Sequence, residues 1–335
     1  MPQATETPVT VPERLKLLYD PIREELSEVE AILRKEAASR FPEVDPLLRH
    51  SFRLGGKRLR PALLLLTARA VGGQISREHL ILAAVVEMIH TATLVHDDVL
   101  DEASVRRHLE TVNARWNNQS SVLLGDFLFS HAFYLASTVG STFACQSIGR
   151  STNIVCEGEL RQVANGGNLL LSEDQYLSII DAKTAELCAC CCRLGAHYAS
   201  ANVEMVAALE KYGRDLGIAF QMVDDLLDLV GEEDAAGKSL GTDLAQQKMT
   251  LPLIRLAGQL DGGRRRRFLQ LLSGPPVERR AELQSWLDAS DALDYAREQA
   301  QAYARRATAQ LSILPVSPER EILERLGRFV VERRQ

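Results

Sequence analysis

The stretches LVHDDVLD at 94–101 and QMVDDLLD at 221–228 decide how this sequence is interpreted, because each contains the pattern Asp-Asp-x-x-Asp within an apolar surrounding. The six aspartates are Asp97, Asp98, Asp101, Asp224, Asp225 and Asp228. Residues four apart share one face of a helix, and like charges at that spacing destabilise a bare helix. The flanking apolar residues predict partial burial, and buried carboxylates need compensating cations. The pattern therefore predicts two acidic helix faces that act together with cations.

A hard divalent cation suits these carboxylates best. Mg²⁺ takes oxygen ligands and commonly keeps water and substrate phosphates in the rest of its coordination sphere. The interior of a helical bundle is a usual place for such sites. A solvated acidic surface is the alternative for one cluster alone, but two identical clusters with apolar flanks argue against it.

The rest of the chain has a helical pattern. From Arg14 onward, apolar residues recur at three- and four-residue intervals, and strand-like alternation is rare. Glycine- and proline-containing breaks separate the predicted helices. These helices are 13–38, 44–53, 60–72, 77–101, 119–139, 144–165, 172–198, 202–229, 249–260, 264–272, 276–289, 291–311 and 317–333. We predict an all-α, single-domain bundle over 13–335, after a flexible N-terminal tail at 1–12. The segment 231–248 reads as an ordered loop.

Composition restricts the classes of function. Among 335 residues, 46% are hydrophobic and 25% charged, with a net charge of −6, so a nucleic-acid-binding surface is not expected. The first residues lack a basic secretory n-region. The longest apolar run, near 80–95, is interrupted by Glu87 and His90, so no transmembrane segment is predicted. The cysteines at 188–192 lie in a predicted helix, which favours packing in a reducing cytoplasm over disulfides, with zinc binding as the weaker alternative.

Basic residues at several places could hold an anion between the acidic faces. The turn GGKRLRP at 55–61 brings three cations to the start of a helix, where helix N-termini and arginine side chains favour phosphate. Further candidates are Arg106, Arg107, Lys183, Lys238 and Lys248. Each of these alone could be an ordinary surface charge, but together they are notable in a chain that is otherwise net acidic.

These motifs resemble the trans-type polyprenyl diphosphate synthase family. The similar segments are GGKRLRP at 55–61, HDDVLDEASVRR at 96–107, GDF at 125–127, KTAEL at 183–187, QMVDDLLD at 221–228 and GKSLGTDLAQQKMTLP at 237–252. Their order and spacing agree with the family from about residue 50 to residue 255. The resemblance implies a large helical bundle, usually a homodimer, that joins isopentenyl diphosphate to an allylic diphosphate.

The resemblance also implies roles for individual residues. Asp97 and Asp101 would bind Mg²⁺ on the allylic diphosphate, and Asp224 with Asp228 would bind another ion, giving three ions per site; Asp98 and Asp225 are counted with these ligands. Isopentenyl diphosphate would be held by Lys57, Arg60, His90 and Arg107. The allylic diphosphate would be held by Arg106, Lys183, Lys238 and Lys248. Thr184 and Gln221 would turn oxygens toward the developing allyl cation. A core histidine remains the alternative for His90.

Two positions depart from the family pattern. His108 follows the arginine pair where glycine is usual, and Gln247 precedes Lys248 where glycine is common. The second departure bears on the backbone beside Lys248.

Product length is predicted from the helical turn before Asp97. Family enzymes that stop early commonly carry aromatic residues there, whereas this chain has Ala92 and Thr93. Candidates for a deeper floor are Met88, Ile89, Phe127 and Phe133. We therefore predict a product of six or more isoprene units, suited to a quinone side chain, with the 231–248 loop closing the site against water. The alternatives are a short-chain geranylgeranyl or farnesyl diphosphate synthase, a terpene cyclase and a non-catalytic regulatory subunit.

Overall fold

The computed structural model of the protein describes residues 15, 17–53, 56–230, 242–274 and 276–333, without the side chains at 242, 245 and 276–281. Almost all of this is helix. The α-helices are α1 (Arg23–Glu36), α2 (Asp45–Arg53), α3 (Leu59–Ala70), α4 (Arg77–Leu100), α5 (Val112–Arg115), α6 (Asn118–Ser137), α7 (Thr142–Ala164), α8 (Glu173–Ile180), α9 (Glu186–Tyr198), α10 (Val203–Val230), α11 (Thr242–Ala245), α12 (Leu251–Gln259), α13 (Gly262–Ser273), α14 (Pro276–Asp288), α15 (Ala292–Gln310) and α16 (Pro318–Glu332). The all-α prediction is confirmed.

Shorter elements connect these helices. Single 3₁₀ turns span Asp20–Ile22 and Leu311–Ile313, and a π-helical turn, Asp181–Ala185, joins α8 to α9. Strands β1 (Val105–Arg106) and β2 (Leu109–Glu110) form an antiparallel hairpin.

The hydrophobic core has two parts. The larger part surrounds α3, α4 and α9, and includes the buried thiols of Cys188, Cys190, Cys191 and Cys192. The smaller part packs α8, α12 and α15 against the C-terminal half of α10. Helix α10 contributes to both parts, so it fixes the position of its C-terminal acidic end relative to α4.

Helix α4 is long and apolar enough to cross a membrane by length and composition alone. Within the described structure, however, 67% of its most apolar window is buried inside the protein. Such burial is expected for the central helix of a large bundle, where an all-round apolar surface is covered by neighbouring helices.

Two local features differ from the sequence-based expectation. The predicted helix 172–198 is interrupted by the π turn, and the hairpin at 105–110 was not predicted. The hairpin loop is Arg107 and His108, both with positive φ, 51° and 62°. Two positive φ values in a two-residue loop are typical of a type I′ turn, which favours glycine and asparagine, so the sequence carries no clear hairpin signal. The predicted tail at 1–12 lies outside the described residues.

Candidate active site

The C-terminal ends of α4 and α10 border one cavity of about 760 Å³. Five of the six predicted aspartates line it, which are Asp97, Asp101, Asp224, Asp225 and Asp228. The structure thus brings the two acidic clusters together from positions more than a hundred residues apart. A second groove, between α1, α4 and α6, is lined by four glutamates and three basic residues, so it lacks the excess of positive charge that a diphosphate needs.

Asp98 is the exception among the six. It is fully buried and does not line the cavity; Nε and Nη2 of Arg106 both lie 2.8 Å from its Oδ1. Burial raises the pKa of Asp98 to about 6, although the charge and hydrogen bond of Arg106 lower it in part. The carboxylate of Asp98 thus contacts Arg106 and does not line the cavity, and its role as a metal ligand stays a prediction.

Asp225 belongs to a hydrogen-bonded chain of side chains. Tyr176 donates its hydroxyl proton to Oδ2 at 2.6 Å, and the Gln221 amide donates to Oδ1 at 2.7 Å. Thr184 in turn donates to the Gln221 carbonyl oxygen at 2.8 Å. Burial, followed by the nearby Asp243, raises the pKa of Asp225 to about 7. Both oxygens of Asp225 are thus engaged, and the chain fixes the positions of Thr184 and Gln221 at the cavity wall.

The outer aspartates contact cations of the protein itself. Lys183 Nζ lies 3.6 Å from Asp97 Oδ2 and 2.8 Å from Glu159 Oε1. Lys248 donates to Asp101 Oδ1 at 3.3 Å.

Arg333, near the end of the described chain, contacts Asp224 and stacks over the Phe220 ring. Asp228 accepts the backbone N–H of Asp243 at 3.1 Å. Each outer carboxylate therefore has a positive or N–H partner in this structure.

A second group of basic residues lines the same cavity beside the aspartates. It consists of Lys57, Arg60, His90 and Arg107, as predicted for the isopentenyl diphosphate site. Burial lowers the pKa of Lys57, and the positive charge of Arg333 lowers it further. Burial, together with the smaller effect of the nearby positive charge of Arg60, holds the pKa of His90 well below its usual range, so His90 is neutral. His90 faces the cavity and is not only a core residue.

The structure pairs one of the three predicted cations of the 55–61 turn with carboxylates and adds residues that the sequence did not indicate. Arg58, with a positive φ of 51°, contacts Glu30 and lies 2.7 Å from Glu87. Glu87 is buried in the apolar middle of α4. A glutamate at this place in the sequence was the one indication that a cation lies beside it. This ion pair anchors the turn that carries Lys57 and Arg60. Glu159 and Arg333 gave no local sequence signal.

The predicted anion-binding residue Lys238 and the 231–241 part of the predicted closing loop lie outside the described residues. The remaining part of the loop contains α11, and Lys248 follows Gln247, whose φ is 55°. His108 and Gln247, the two departures from the family pattern, thus both have left-handed backbone. Glycine adopts that conformation at no steric cost, which explains its usual presence at both positions.

The residues predicted to set product length lie in different environments. Thr93 lines the cavity, whereas Ala92 and Met88 are fully buried in the core and do not line it. Phe127 is 42% exposed on α6 and does not line the cavity, and its role as a floor stays a prediction.

The acidic walls suit a divalent cation that is only partly enclosed by protein. Within the described residues, no three His, Cys, Asp or Glu side chains converge on one point. The outer carboxylates nevertheless offer hard oxygen ligands across one cavity, with room for water and phosphate oxygens. Mg²⁺ is commonly bound in this way, through one or two carboxylates plus substrate phosphates.

Comparison with known proteins agrees with this geometry. A family model described as polyprenyl synthetase matches residues 42–289. The chain belongs to the polyprenyl synthetase family. An octaprenyl diphosphate synthase of Escherichia coli is 36% identical over 83% of this chain and 86% of its own length. The predictions of the family and of a prenyl-transferring enzyme are confirmed.

Two solved structures of family members are similar along nearly the whole chain. A decaprenyl diphosphate synthase from Rhodobacter capsulatus is 36% identical with a TM-score of 0.90, and the match covers 96% of this chain and 99% of that one. A polyprenyl synthase from Caulobacter crescentus CB15, in complex with calcium and isoprenyl diphosphate, is also 36% identical with a TM-score of 0.90, over 96% and 98% of the two chains.

Proposed function

We propose that this protein joins isopentenyl diphosphate to an allylic diphosphate, head to tail and in the trans configuration, to make a long-chain polyprenyl diphosphate. The observation that carries the proposal is the single cavity with aspartates on two opposing helices and a separate basic group beside them. Two anionic substrates need two such sites, one built for cations bridging a leaving group and one built from basic side chains. The similar octaprenyl and decaprenyl synthases support the same reaction.

The outer carboxylates Asp97, Asp101, Asp224 and Asp228 would hold Mg²⁺, which we expect as three ions per site. Bound Mg²⁺ would neutralise the charge that develops on the departing diphosphate. Calcium, another hard divalent cation, is present with isoprenyl diphosphate in the Caulobacter crescentus synthase.

The side chains of this protein would perform the remaining tasks. Lys183 and Lys248, already beside the acidic walls, would bind the allylic diphosphate, together with Arg106 and the undescribed Lys238. Neutral His90 and the cations Lys57, Arg60 and Arg107 would orient isopentenyl diphosphate so that its double bond faces the allylic carbon.

The allyl cation needs electron-rich neighbours and a way to lose a proton after coupling. Oxygens of Thr184 and Gln221, which are held at the cavity wall through Asp225 and Tyr176, would serve the first task. The second task needs no protein base, because the released diphosphate can accept the proton. Exclusion of water protects the cation, and we propose the 231–248 segment for this closure.

For product length, we propose six or more isoprene units, as needed for a quinone side chain. The small Thr93 side chain at the cavity wall supports this, because it leaves the direction along α4 without an aromatic stop. The names of the similar octaprenyl and decaprenyl diphosphate synthases also indicate long products. A short-chain product is the alternative that the assay below distinguishes.

We further propose a homodimer that forms through α6 and works in the cytoplasm. Leu123, Phe127 and Tyr134 lie four and seven residues apart, so they share one helix face, and they are 60%, 42% and 63% exposed. A stripe of large exposed apolar side chains is typical of an interaction surface. Buried free thiols fit a reducing compartment.

One assay tests the proposed reaction. The purified chain is incubated with Mg²⁺, labelled isopentenyl diphosphate and geranyl, farnesyl or geranylgeranyl diphosphate, and the products are sized by chromatography. We expect labelled products of six or more units that disappear when EDTA is added. Diphosphate release without label incorporation would indicate a cyclase, and no incorporation by the chain alone would indicate a regulatory subunit.

A further inference from the structure

The residues Lys183 and Thr184 lie in the π turn, Asp181–Ala185, that interrupts the α8–α9 helix. The turn closes with the Glu186 N–H donating to the Asp181 carbonyl oxygen, an i to i+5 hydrogen bond. Such turns are rare, and they frequently occur at functional sites. Contacts from outside the helix must therefore maintain it.

Two glycines leave room for the widened turn. A Cβ atom on Gly158 of α7 would lie 2.7 Å from the Lys183 backbone nitrogen, and one on Gly217 of α10 would lie 2.6 Å from Ala185 Cα. The turn is thus packed between α7 and α10 at backbone distance. This packing permits the turn but supplies no directional bond to hold it.

Arg214 of α10 supplies that bond. Its Nη1 donates to Asp181 Oδ1 at 2.7 Å, and its Nη2 donates to Glu186 Oε2. Asp181 is the first residue of the π turn, and Glu186 is the residue directly after it. Residues five apart point about 140° away from each other in a regular α-helix, so one guanidinium could not bind both. The i to i+5 geometry of the π turn brings them to the same side.

The contact of Arg214 with Glu186 also neutralises a buried carboxylate. Glu186 is almost fully buried and accepts a hydrogen bond from Ser151 at 2.6 Å. A buried carboxylate without a partner is strongly destabilising, and the planar guanidinium can bind two carboxylates at once. Arg214 therefore favours the widened turn over a regular helix.

We propose that Arg214 is a positioning residue for the allylic diphosphate, which acts through the π turn to direct Lys183 and Thr184 at the cavity. This inference rests on the proposed function and adds a residue that contacts neither substrate. Lys183 is fixed at one end of its side chain by Glu159 and Asp97. Arg214 fixes its backbone end, so loss of Arg214 should affect the allylic site and leave the isopentenyl diphosphate site unchanged.

The test compares Arg214→Gln with wild type in steady-state kinetics with farnesyl diphosphate and isopentenyl diphosphate. We expect KM for farnesyl diphosphate to rise on the order of tenfold, as misplacement of a binding group does. KM for isopentenyl diphosphate should stay within about twofold. An equal rise in both KM values would overturn the proposal, whereas inactive wild-type protein would overturn the proposed function itself.

Arg306→Gln is the matched control. Arg306 pairs with buried Asp215, the next residue on α10, at 3.0 Å. Its loss should lower thermal stability in a similar way, with neither KM changed.

Two further variants keep the test decisive. Asp181→Ala removes one arm of the contact at a side chain that is 39% exposed, so this variant should fold even where Arg214→Gln does not. It should raise KM for farnesyl diphosphate alone. In Lys183→Gln protein, adding Arg214→Gln should change that KM by less than twofold. Independent, multiplying effects of the two substitutions would show that Arg214 does not act through Lys183.

Discussion

The three aspartates of each Asp-Asp-x-x-Asp motif lie in different surroundings. The first and last members, Asp97 and Asp101 or Asp224 and Asp228, line the cavity. The second members are held by neighbouring side chains, and of these Asp98 does not line the cavity, whereas Asp225 does. A helix turns about 100° per residue, so the second aspartate lies roughly 80° from the direction shared by the outer two. The second aspartates contact Arg106 and Gln221, which are themselves proposed site residues.

Substitution of an outer aspartate should abolish turnover and preserve the fold. For Asp97→Ala we expect turnover to fall by about 10²-fold or more, because a ligand for the leaving-group cation is lost. The measurement is incorporation of labelled isopentenyl diphosphate, with circular dichroism as the check on folding. Asp294→Asn, at an exposed carboxylate, serves as the control.

For the second wall, Asp224→Asn is preferable to Asp224→Ala, because Arg333 is buried against this side chain and needs an acceptor. We again expect a loss of about 10²-fold or more in turnover with the helical spectrum retained. Near-normal turnover in this variant would remove the second acidic wall from the mechanism.

At the scale of single elements, α4 begins with an unusual cap. Ser76 and His79 form a capping box in which the Ser76 backbone N–H donates to His79 Nδ1 at 3.1 Å. His79 Nε2 lies 3.2 Å from the Gly195 carbonyl oxygen, so the ring is neutral with its proton on Nε2. Burial lowers the pKa of His79, which agrees with that state.

This cap predicts acid sensitivity near neutral pH. Because the folded-state pKa of His79 is lowered, its stabilising contribution is complete above the unfolded value of about 6.5 and is lost as the pH falls through the folded value. The free energy of unfolding of His79→Gln should decrease less than that of wild type between pH 7 and pH 5. Glutamine preserves a capping box without titrating. Parallel pH profiles from urea titrations of the two proteins would contradict this assignment.

The direction of chain growth is also a property of α4. Thr93→Phe should shorten the products by blocking the cavity wall, without loss of condensation, as judged by chromatographic sizing. Ala92→Phe should also shorten them, but at a cost of about 1–3 kcal/mol in stability, since Ala92 is fully buried. Unchanged products from Thr93→Phe would place the stop elsewhere.

Most helices could be predicted from the sequence because their apolar spacing is regular and glycine or proline marks their ends. The π turn could not, since the stretch 172–198 keeps its helical spacing throughout and the cause of the turn lies in α7 and α10. The hairpin could not be predicted for a different reason. Its loop has histidine at position 108, where glycine would have indicated a turn. The outer aspartates were identifiable from local pattern, whereas Arg333 depends on tertiary contact alone.

At the scale of the whole molecule, the exposed stripe on α6 predicts how two copies associate. Phe127→Glu introduces a charge in the middle of that stripe and should convert a dimer to monomers, as measured by light scattering after size exclusion. Val316→Glu is the control, because Val316 is 95% exposed and lies outside the stripe. A dimer that persists in Phe127→Glu at micromolar concentration would assign the interface to another face.

The contact between Arg333 and Asp224 has a consequence for biosynthesis. The acidic end of α10 is synthesised about a hundred residues before its guanidinium partner. During translation, Asp224 therefore emerges before this partner and stays solvated by water until Arg333 has been synthesised. The ion pair at this wall of the cavity can form only after residue 333 has been synthesised, so the local charge of the cavity differs between the nascent and the folded chain.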